Sequence, residues 1–563
     1  MSLELPGKEC LEKECLEKGY KGCVRYIEIE KPVLGNNTAD AQRLEQALKR
    51  ELGKEGGNQG VSIPWHLLKN LPTFLRTWDY KARVVLFKDR QSWRLVDLLP
   101  PNLSDAGLGE SDLAETGFPG PALTQFGLAR SVLGSAIDIG TTRVVIQLLD
   151  LESGKTLEEI GFDNPQVVIG PDVLARIHHS HKPGGLEQLQ KLLVDGVNEH
   201  LSRLCRENGC DTQDIYLVTG AGNTAMTHLF LGIEAFEIIR EPYIPCVNIP
   251  DTLSAKDVGL EINGSGLLFL FPNIGSYFGG DLIAGILFAD LDKKQAPCLM
   301  VDVGTNAEIV VGSQDWLIAC AGAAGPALEG GVSKMGMTAG PGVIDTVMID
   351  PLTRKVEIHT IEEKKPVGIC GSGMIDLAAA LFLSGMIDIR GKFSRQACGE
   401  HLQQIEGILS FVLVDKTHSG TGRDIILTQV DLNSLTSSKA AMYTILEVIV
   451  KNTAGLEFED LETFYVAGTF GSFINPSSAI SIGMLPDIPL SRFKVLGNSS
   501  LGGAALLLKD PSVFDRVMEI RQSITYIELN VNQEFMNMFS GAKFYPHTDR
   551  SRFPSVPIDL IGN

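Results

Sequence analysis

The stretches AIDIGTTRVVIQLLD (136–150) and LMVDVGTNAEIVVG (299–312) repeat one pattern within this chain. Each starts as an apolar strand, passes through Asp, an apolar residue, Gly and Thr, and continues as a second strand. The pattern predicts two β-hairpins with tight turns at Gly140 and Gly304, because glycine lets a backbone turn and approach a ligand closely. Two copies favour two similar half-domains that face one nucleotide across a cleft.

Both turns have the groups that hold a polyphosphate. Backbone N–H groups and hydroxyls near such turns can cradle phosphate oxygens, and the residues predicted to do so are Gly140, Thr141, Thr142, Gly304, Thr305 and Asn306. Asp138 precedes the first turn and is predicted to lie near Mg²⁺, while Asp302 precedes the second and is predicted to orient an attacking water. Since phosphoryl transfer needs mainly positioning and charge neutralisation, these groups are sufficient for catalysis.

Two further glycine motifs are candidate parts of the same site. A predicted strand ends at Ala467 and is followed by the small residues of a nucleoside loop, Gly468, Thr469 and Gly471. A predicted helix opens with Gly371, Ser372 and Gly373, and its N-terminus offers free N–H groups to an anion, although a tight helix–strand crossing explains these glycines equally well. A weaker alternative is a dinucleotide site, because residues 220–225 fit G-x-G-x-x-A.

Composition excludes several classes of function. The chain has 563 residues, a net charge of −20, 44% hydrophobic residues and 21% charged residues. This acidic balance argues against non-specific binding to nucleic acid or to an anionic membrane. The sequence has no apolar run of about 18 residues, and its ten cysteines are scattered, which predicts a cytoplasmic protein with reduced thiols.

The order of predicted elements divides the chain into five segments. Residues 1–60 form a linker-like N-terminal segment, and residues 61–130 form a small middle α+β domain with a linker rich in Pro, Gly, Asp and Ser. The two half-domains are predicted at 131–295 and 296–530, with a weakly patterned C-terminal tail at 531–563. Strands alternate with helices in both half-domains, which predicts α/β sheets flanked by helices.

Many phrases in order resemble one protein family from about residue 130 to 510. They include NPQVVIGPDVLARI (164–177), GNTAMTHLFLGI (222–233), FGGDLIAGIL (278–287), AGPALEGG (324–331), GICGSGMIDL (368–377) and VAGTFGSFINPSSAISIGMLPDIPL (466–490). With the two Asp-containing turns, they resemble the reductive activators of corrinoid proteins, which are ATPases of the superfamily of acetate and sugar kinases, chaperones and actin. The resemblance implies a two-lobed actin-like (ribonuclease H-like) α/β core with a small N-terminal α+β domain.

The resemblance also implies a task, with ATP and Mg²⁺ as cofactors and a corrinoid protein as partner. Such activators use ATP to return inactive Co(II) to Co(I), and they are expected to act as homodimers. The nucleotide would clamp the half-domains and change how the corrinoid protein is held. Moving such an equilibrium from 1:99 to 99:1 requires a preference of about 5.5 kcal/mol for one state. A small-molecule kinase on the same fold and a nucleotide-switched binding protein stay as alternatives.

This chain departs from the family in its cysteines and at two turn positions. A plant-type [2Fe–2S] domain has C-x₄-C-x₂-C and a distant fourth Cys, whereas here Cys10 and Cys15 are followed by Lys18, and the next thiol is Cys23. The cysteines therefore do not support the expected cluster, and the electron is predicted to come from a separate reductase or from a domain outside this sequence. Arg143 stands where a third Thr is common, and Ala307 where Gly is common.

Overall fold

The computed structural model describes residues 22–53, 60–90, 92–101, 131–276, 278–304, 307–322, 333–468, 474–527 and 533–557. The chain divides into two compact units. The first consists of Met1–Phe288 with Ser500–Gln522, and the second of Ala289–Ser499 with Ser523–Asn563. The predicted linker at about 100–130 lies almost wholly outside the described residues.

The first unit begins with the predicted small α+β domain. Its four-stranded sheet has the order β1-β3-β4-β2, formed by β1 (Val24–Glu28), β2 (Val61–Ser62), β3 (Lys81–Lys88) and β4 (Trp93–Leu99). The predicted hairpin is confirmed, because β3 and β4 pair antiparallel. The buried face of α1 (Asp40–Gly53) contributes Leu44 and Leu48 to the core of this domain.

The helix predicted over residues 63–78 is two short helices, α2 (Trp65–Leu68) and α3 (Leu71–Thr77). Pro72 lies in the first turn of α3. Proline is tolerated there because the N–H it lacks has no partner within the helix. A continuous helix through Pro72 would instead lose a hydrogen bond, so the chain breaks between Leu68 and Leu71.

The rest of the first unit is a six-stranded mixed sheet with helices. Its order is β7-β6-β5-β8-β10-β9, formed by β5 (Leu133–Ile139), β6 (Arg143–Asp150), β7 (Thr156–Asp163), β8 (Ile215–Gly222), β9 (Leu253–Ser254) and β10 (Leu267–Leu270). The accompanying helices are α4 (Val173–Ser180), α5 (Gly185–Glu207), α6 (Thr224–Leu231), α7 (Ala255–Val258) and α8 (Gly280–Ala289). Strands β5, β6 and β7 are consecutive and antiparallel, and β8 then pairs parallel to β5.

The second unit repeats this plan. Its main sheet has the order β21-β20-β11-β12-β13-β22, formed by β11 (Cys298–Val303), β12 (Ala307–Ser313), β13 (Trp316–Gly322), β20 (Thr463–Ala467), β21 (Phe493–Gly497) and β22 (Ile524–Ile527). Strands β11 to β13 are again antiparallel, and β20 pairs parallel to β11. Two similar α/β half-domains are thus confirmed as the fold of this chain.

Two three-stranded sheets and several helices complete the second unit. The strands are β14 (Val343–Ile349), β15 (Val356–Thr360), β16 (Gly368–Ile369), β17 (Leu402–Ile405), β18 (Ile408–Val414) and β19 (Ile425–Thr428). The helices are α9 (Gly371–Leu383), α10 (Arg395–Cys398), α11 (Gln429–Glu447) and α12 (Pro476–Ser481). The chain then continues through α13 (Ser499–Lys509) and α14 (Phe514–Ser523), most of whose residues belong to the first unit.

The C-terminal segment is more ordered than its weak sequence pattern predicts. It forms α15 (Gln533–Ala542), and Tyr545 and Phe553 lie in the core of the second unit. The buried Lys439 of α11 donates a hydrogen bond to the Pro546 carbonyl at 2.8 Å. These contacts are made across about a hundred residues, which no local periodicity reveals.

None of the helices in the described ranges is long and apolar enough to cross a membrane.

Candidate functional site

The first predicted turn is where the sequence pattern places it, at the end of the β5–β6 hairpin. Asp138 pairs with Val145 and Ile139 with Val144, so the chain reverses between Ile139 and Arg143. A Cβ atom on Gly140 would fall 2.2 Å from the Arg143 carbonyl oxygen. Only glycine fits this turn without moving the backbone.

Asp138 is surrounded by groups from distant segments of the first unit. Ser500, in α13, donates its hydroxyl to Asp138 Oδ1 at 2.9 Å. Asp281, in the first turn of α8, has a pKa raised to about 7, chiefly because its carboxyl is desolvated and further because of the nearby Asp138 charge. Desolvation and a like charge both disfavour ionisation of a carboxyl group. Two acidic residues, Asp138 and Asp281, therefore lie next to this turn, rather than Asp138 alone.

Asp281 was missed by the sequence analysis, although a local signal was present. Gly279 and Gly280 precede it, and a Cβ atom on Gly279 would fall 2.4 Å from Asn223 Cα and 2.6 Å from Asp281 Oδ1. The backbone must therefore approach closely at this point. An Asp that follows two glycines and opens an otherwise apolar helix is the feature that could have identified it.

Thr141 and Thr142 are held by two asparagines. Asn223, at the start of α6, donates its amide to Thr141 Oγ1 at 3.0 Å. Asn164 donates its backbone N–H to the Thr142 carbonyl at 2.8 Å and its side-chain amide to the Gly140 carbonyl at 2.9 Å. The predicted residues Asp138, Gly140, Thr141 and Thr142 therefore lie in one ordered turn.

Arg143 does not disturb this turn. Its guanidinium donates to the Gly161 carbonyl on β7 at 3.1 Å. A Cβ atom at Gly161 would come within 2.7 Å of Arg143 Nε, so glycine leaves room for the long side chain. Arg143 is therefore directed along the sheet.

The second predicted turn follows β11 in the second unit. Asp302 pairs with Ala467 of the parallel strand β20. Gly468 follows with a φ of +86°, and a Cβ atom on it would fall 2.6 Å from Asp302 Oδ1 and 2.7 Å from the Val303 carbonyl oxygen. The fold thus brings Asp302 and Gly468 together from positions far apart in sequence. Gly304 ends the described part of the turn, and four other predicted residues, Thr305, Asn306, Thr469 and Gly471, lie outside the described residues.

Gly371, Ser372 and Gly373 form the buried first turn of α9. A Cβ atom on Gly373 would fall 2.5 Å from the Ile344 carbonyl oxygen of β14. This distance favours the packing explanation for Gly373, because the helix and the strand cross closely here. Ser372 Oγ lies 3.1 Å from Cys370 Sγ, within the same first turn.

The glycines of the dinucleotide-like motif lie inside a strand. Gly220 and Gly222 belong to β8, and Cβ atoms on them would meet Leu270 Cδ2 at 2.6 Å and the Ile139 carbonyl oxygen at 2.8 Å. Packing within the sheet accounts for both residues. A dinucleotide-binding turn would instead need the glycines after the strand.

The donor set of the first turn fits a magnesium–nucleotide complex. Mg²⁺ in such sites is held by one or two carboxylates, by waters and by substrate phosphates, and Asp138 and Asp281 supply two carboxyl groups. At positions 140 and 279 a Cβ atom would overlap neighbouring backbone atoms, so glycine lets the chain pack closely beside these carboxyl groups. Within the described ranges, no group of three or more His, Cys, Asp and Glu residues could hold a metal ion by itself.

Cys23 does not suit an iron–sulfur cluster. Its thiol is fully buried and donates a hydrogen bond to the Leu508 carbonyl at 3.1 Å. Burial raises the pKa of this thiol far above its ordinary value, whereas a cluster ligand must be a thiolate. Cys10 and Cys15 lie outside the described residues.

Three family models match consecutive parts of the chain. Residues 24–105 match the RACo linker region, residues 133–294 the RACo middle region, and residues 296–557 the C-terminal domain of RACo, the ASKHA domain. The ASKHA superfamily is the one predicted from the sequence, so the two-lobed actin-like fold class is confirmed.

Individual proteins agree with these matches. The chain is 33% identical to the corrinoid activation enzyme RamQ of Eubacterium limosum over 73% of this chain and 70% of that protein. It is 25% identical to a [Co(II) methylated amine-specific corrinoid protein] reductase of Methanosarcina barkeri, over 72% of this chain and 76% of that protein. A solved structure, the reductive activator for corrinoid,iron-sulfur protein, matches with 36% identity and a TM-score of 0.81 over 96% of this chain and 82% of that one. The chain therefore belongs to the RACo family of corrinoid reductive activators.

Proposed function

We propose that this protein is an ATPase that drives the one-electron reduction of a corrinoid protein, from inactive Co(II) to Co(I). The observation that carries this proposal is the identity of 33% with a corrinoid activation enzyme over 418 residues. The ordered Gly140 turn with its two carboxyl groups supports the ATPase part, because it offers the phosphate donors and metal ligands that such a reaction uses.

In the first unit, we assign phosphate binding to Gly140, Thr141 and Thr142. Their N–H groups and hydroxyls donate to phosphate oxygens, as in other anion-binding turns. Asp138 is the proposed metal residue, which holds Mg²⁺ directly or through water. Mg²⁺, when bound, neutralises phosphate charge. Because Ser500 donates to Asp138 Oδ1, this carboxylate is held in one orientation.

Asp281 is the proposed proton acceptor of the first unit. Its carboxyl group is desolvated and lies near the Asp138 charge, and both effects raise its pKa and favour the protonated form. Its Oδ1 atom accepts the Leu282 N–H at 2.9 Å, so the carboxyl group has a fixed position at the start of α8. The carboxyl group can take up a proton during hydrolysis.

In the second unit, we assign phosphate binding to Gly304, Thr305 and Asn306, and the positioning of water to Asp302. Gly468, Thr469 and Gly471 are proposed to lie against the nucleoside. The closeness of Gly468 to Asp302 supports a common site for these two groups of residues. Gly371, Ser372 and Gly373 stay as proposed anion-binding residues at the N-terminus of α9.

The electron is proposed to come from a separate one-electron donor or from an iron–sulfur domain outside this sequence. The cobalt gains this electron, the donor loses it, and ATP is hydrolysed to ADP and phosphate. We also propose a homodimer, a cytoplasmic location, the five segments of the sequence analysis, and no role in nucleic-acid or membrane binding. The net charge of −20 supports the last of these.

The decisive experiment follows the Co(I) absorbance band of a Co(II) corrinoid protein mixed with this chain and a low-potential chemical reductant. We expect Co(I) to appear with ATP and not with ADP. Asp138→Asn and Asp302→Asn should abolish both hydrolysis and Co(I) formation, whereas Asp195→Asn on the exposed face of α5 serves as the matched control. Equal Co(I) formation without ATP would remove the assignment. ATP-dependent phosphorylation of a small molecule would favour a kinase instead.

A further inference from the structure

The first phosphate turn is enclosed by a hydrogen-bonded layer that the proposed chemistry does not use. Three side chains of this layer belong to the stretch NPQVVIGPDVLARI (164–177). Asn164, Gln166 and Arg176 are all fully buried. Fully buried polar residues carry a large desolvation cost unless they are hydrogen-bonded. Their arrangement behind the turn therefore needs an explanation.

Asn164 holds both carbonyl oxygens that flank Thr141. Its side-chain amide donates to the Gly140 carbonyl at 2.9 Å, and its backbone N–H donates to the Thr142 carbonyl at 2.8 Å. Its Oδ1 atom accepts the Gln166 N–H at 3.0 Å, which fixes the orientation of the amide. In an anion-binding turn the carbonyl oxygens must point away from the anion. Asn164 holds both of these carbonyl oxygens in that direction by donating a hydrogen bond to each.

Gln166 and Arg176 hold Asn164 in place on the side that faces away from the turn. The Gln166 amide donates to the Leu189 carbonyl of α5 at 2.9 Å and accepts from Arg176 at 3.3 Å. The Arg176 guanidinium also donates to the Gly170 carbonyl at 2.9 Å and lies 3.6 Å from Met226 Sδ of α6. This layer therefore connects the turn to three helices, α4, α5 and α6.

Asn223 controls the Thr141 hydroxyl from the other side. Its Oδ1 atom accepts the Met226 N–H at 2.9 Å as the N-cap of α6. Its amide must then face Thr141, and it donates to Thr141 Oγ1 at 3.0 Å. With Oγ1 accepting this bond, the Thr141 hydroxyl proton is directed to another acceptor.

We propose that Asn223 and Asn164 are positioning residues that make the phosphate turn present hydrogen-bond donors to the nucleotide. Asn164 holds the carbonyl oxygens of Gly140 and Thr142 away from the phosphate, and Asn223 makes the Thr141 hydroxyl a donor to a phosphate oxygen. The inference rests on the proposed binding of ATP at this turn, and it adds two residues that act through Gly140 and Thr141 without touching the nucleotide.

The test is a double-mutant cycle on ATP affinity in the full chain. Asn223→Ser keeps a good N-cap but is too short to reach Thr141, and Thr141→Val removes the hydroxyl. We expect each single variant to weaken ATP binding roughly tenfold, and the double variant to be no weaker than the single variants. The matched control is Asn263→Ser, because Asn263 also bridges two segments of this unit through its amide and its Oδ1 atom.

The outcomes separate this inference from the proposed function. Full additivity in the double variant, or an Asn223→Ser affinity equal to that of the control, would overturn the positioning role while ATP binding stands. If the unaltered chain binds no ATP in titration calorimetry, the proposed function itself fails. The ATP affinity of Asn164→Asp is a second test, because this variant keeps the Oδ1 acceptor and loses the amide that donates to the Gly140 carbonyl. It should also weaken ATP binding, and an unchanged affinity would contradict the role of Asn164.

Discussion

Gly468 lies so close to Asp302 that a Cβ atom at position 468 would fall 2.6 Å from Asp302 Oδ1. Two strands that are distant in sequence, β11 and β20, produce this proximity because they pair parallel with Asp302 opposite Ala467. The backbone at Gly468 also has a φ of +86°, which favours glycine. Both constraints act at a residue that we assign to the nucleoside loop.

Gly468→Ala should therefore impair ATP hydrolysis more than stability. The left-handed conformation alone costs about 1–2 kcal/mol for a residue with a Cβ atom. In addition, the new Cβ atom would displace the Asp302 carboxylate. We expect hydrolysis to fall at least tenfold in a steady-state phosphate-release assay. Gly455→Ala is the control, because Gly455 has a φ of +68° and open space around its Cβ position. Equal effects of the two substitutions would show that strain alone is responsible.

Asp281→Asn should separate catalysis from folding in the first unit. The amide keeps the shape and the acceptor for the Leu282 N–H, and it removes a desolvated carboxyl group next to Asp138. We expect a melting temperature equal to or above that of the unaltered chain, and a turnover at least 100-fold lower, as for loss of a general base. Asp257→Asn, at an exposed position, is the control. Normal turnover with reduced stability would make Asp281 a structural residue.

Gly140→Ala should disrupt the phosphate turn directly. The added Cβ atom would meet the Arg143 carbonyl oxygen at 2.2 Å, so the turn must open. Overpacking of this kind costs about 1–3 kcal/mol, and we expect ATP affinity to fall more than tenfold in a calorimetric titration. Gly264→Ala, where the Cβ position is open and φ is not positive, should bind ATP normally. Normal affinity of Gly140→Ala would contradict the placement of phosphate at this turn.

His547 should make the second unit sensitive to acid. Burial, followed by the charges of Arg552 and Lys439, lowers the pKa of His547 to about 4. The unfolded chain, with an ordinary pKa near 6.5, therefore binds more protons between these values, and stability falls as pH decreases from about 6.5 to 4. The neutral ring also accepts the Asp549 N–H at 2.9 Å, a bond that is lost when Nδ1 is protonated.

Denaturant unfolding of His547→Gln at pH 7 and pH 5 checks this expectation. The variant should lose less stability between the two pH values than the unaltered chain. His178→Gln, at an exposed position on α4, is the control and should not alter the pH dependence. If His547→Gln retains the full loss at pH 5, other groups are responsible for the acid sensitivity.

Local pattern was enough to predict the hairpins and most long helices. The β5–β6 and β11–β12 hairpins follow from alternating apolar residues around a Gly-Thr turn, and α5 follows from its apolar spacing. Helix α15 was not predicted, although Phe535, Met538 and Phe539 recur at helical spacing and pack against the core of the second unit. The two short helices at 65–77 differ from the single predicted helix because of Pro72.

The sequence by itself determined the two half-domains, the family and the acidic glycine turns, since each of these is a property of neighbouring residues. Only the tertiary structure decided which other residues surround the turns. Ser500 reaches Asp138 across 362 positions, and Asn164, Asn223 and Asp281 converge on the first turn from three separate segments. Such convergence depends on strand order, which no local stretch of sequence specifies, and the glycines at 279 and 468 only permit the close approach of backbones that the strand order requires.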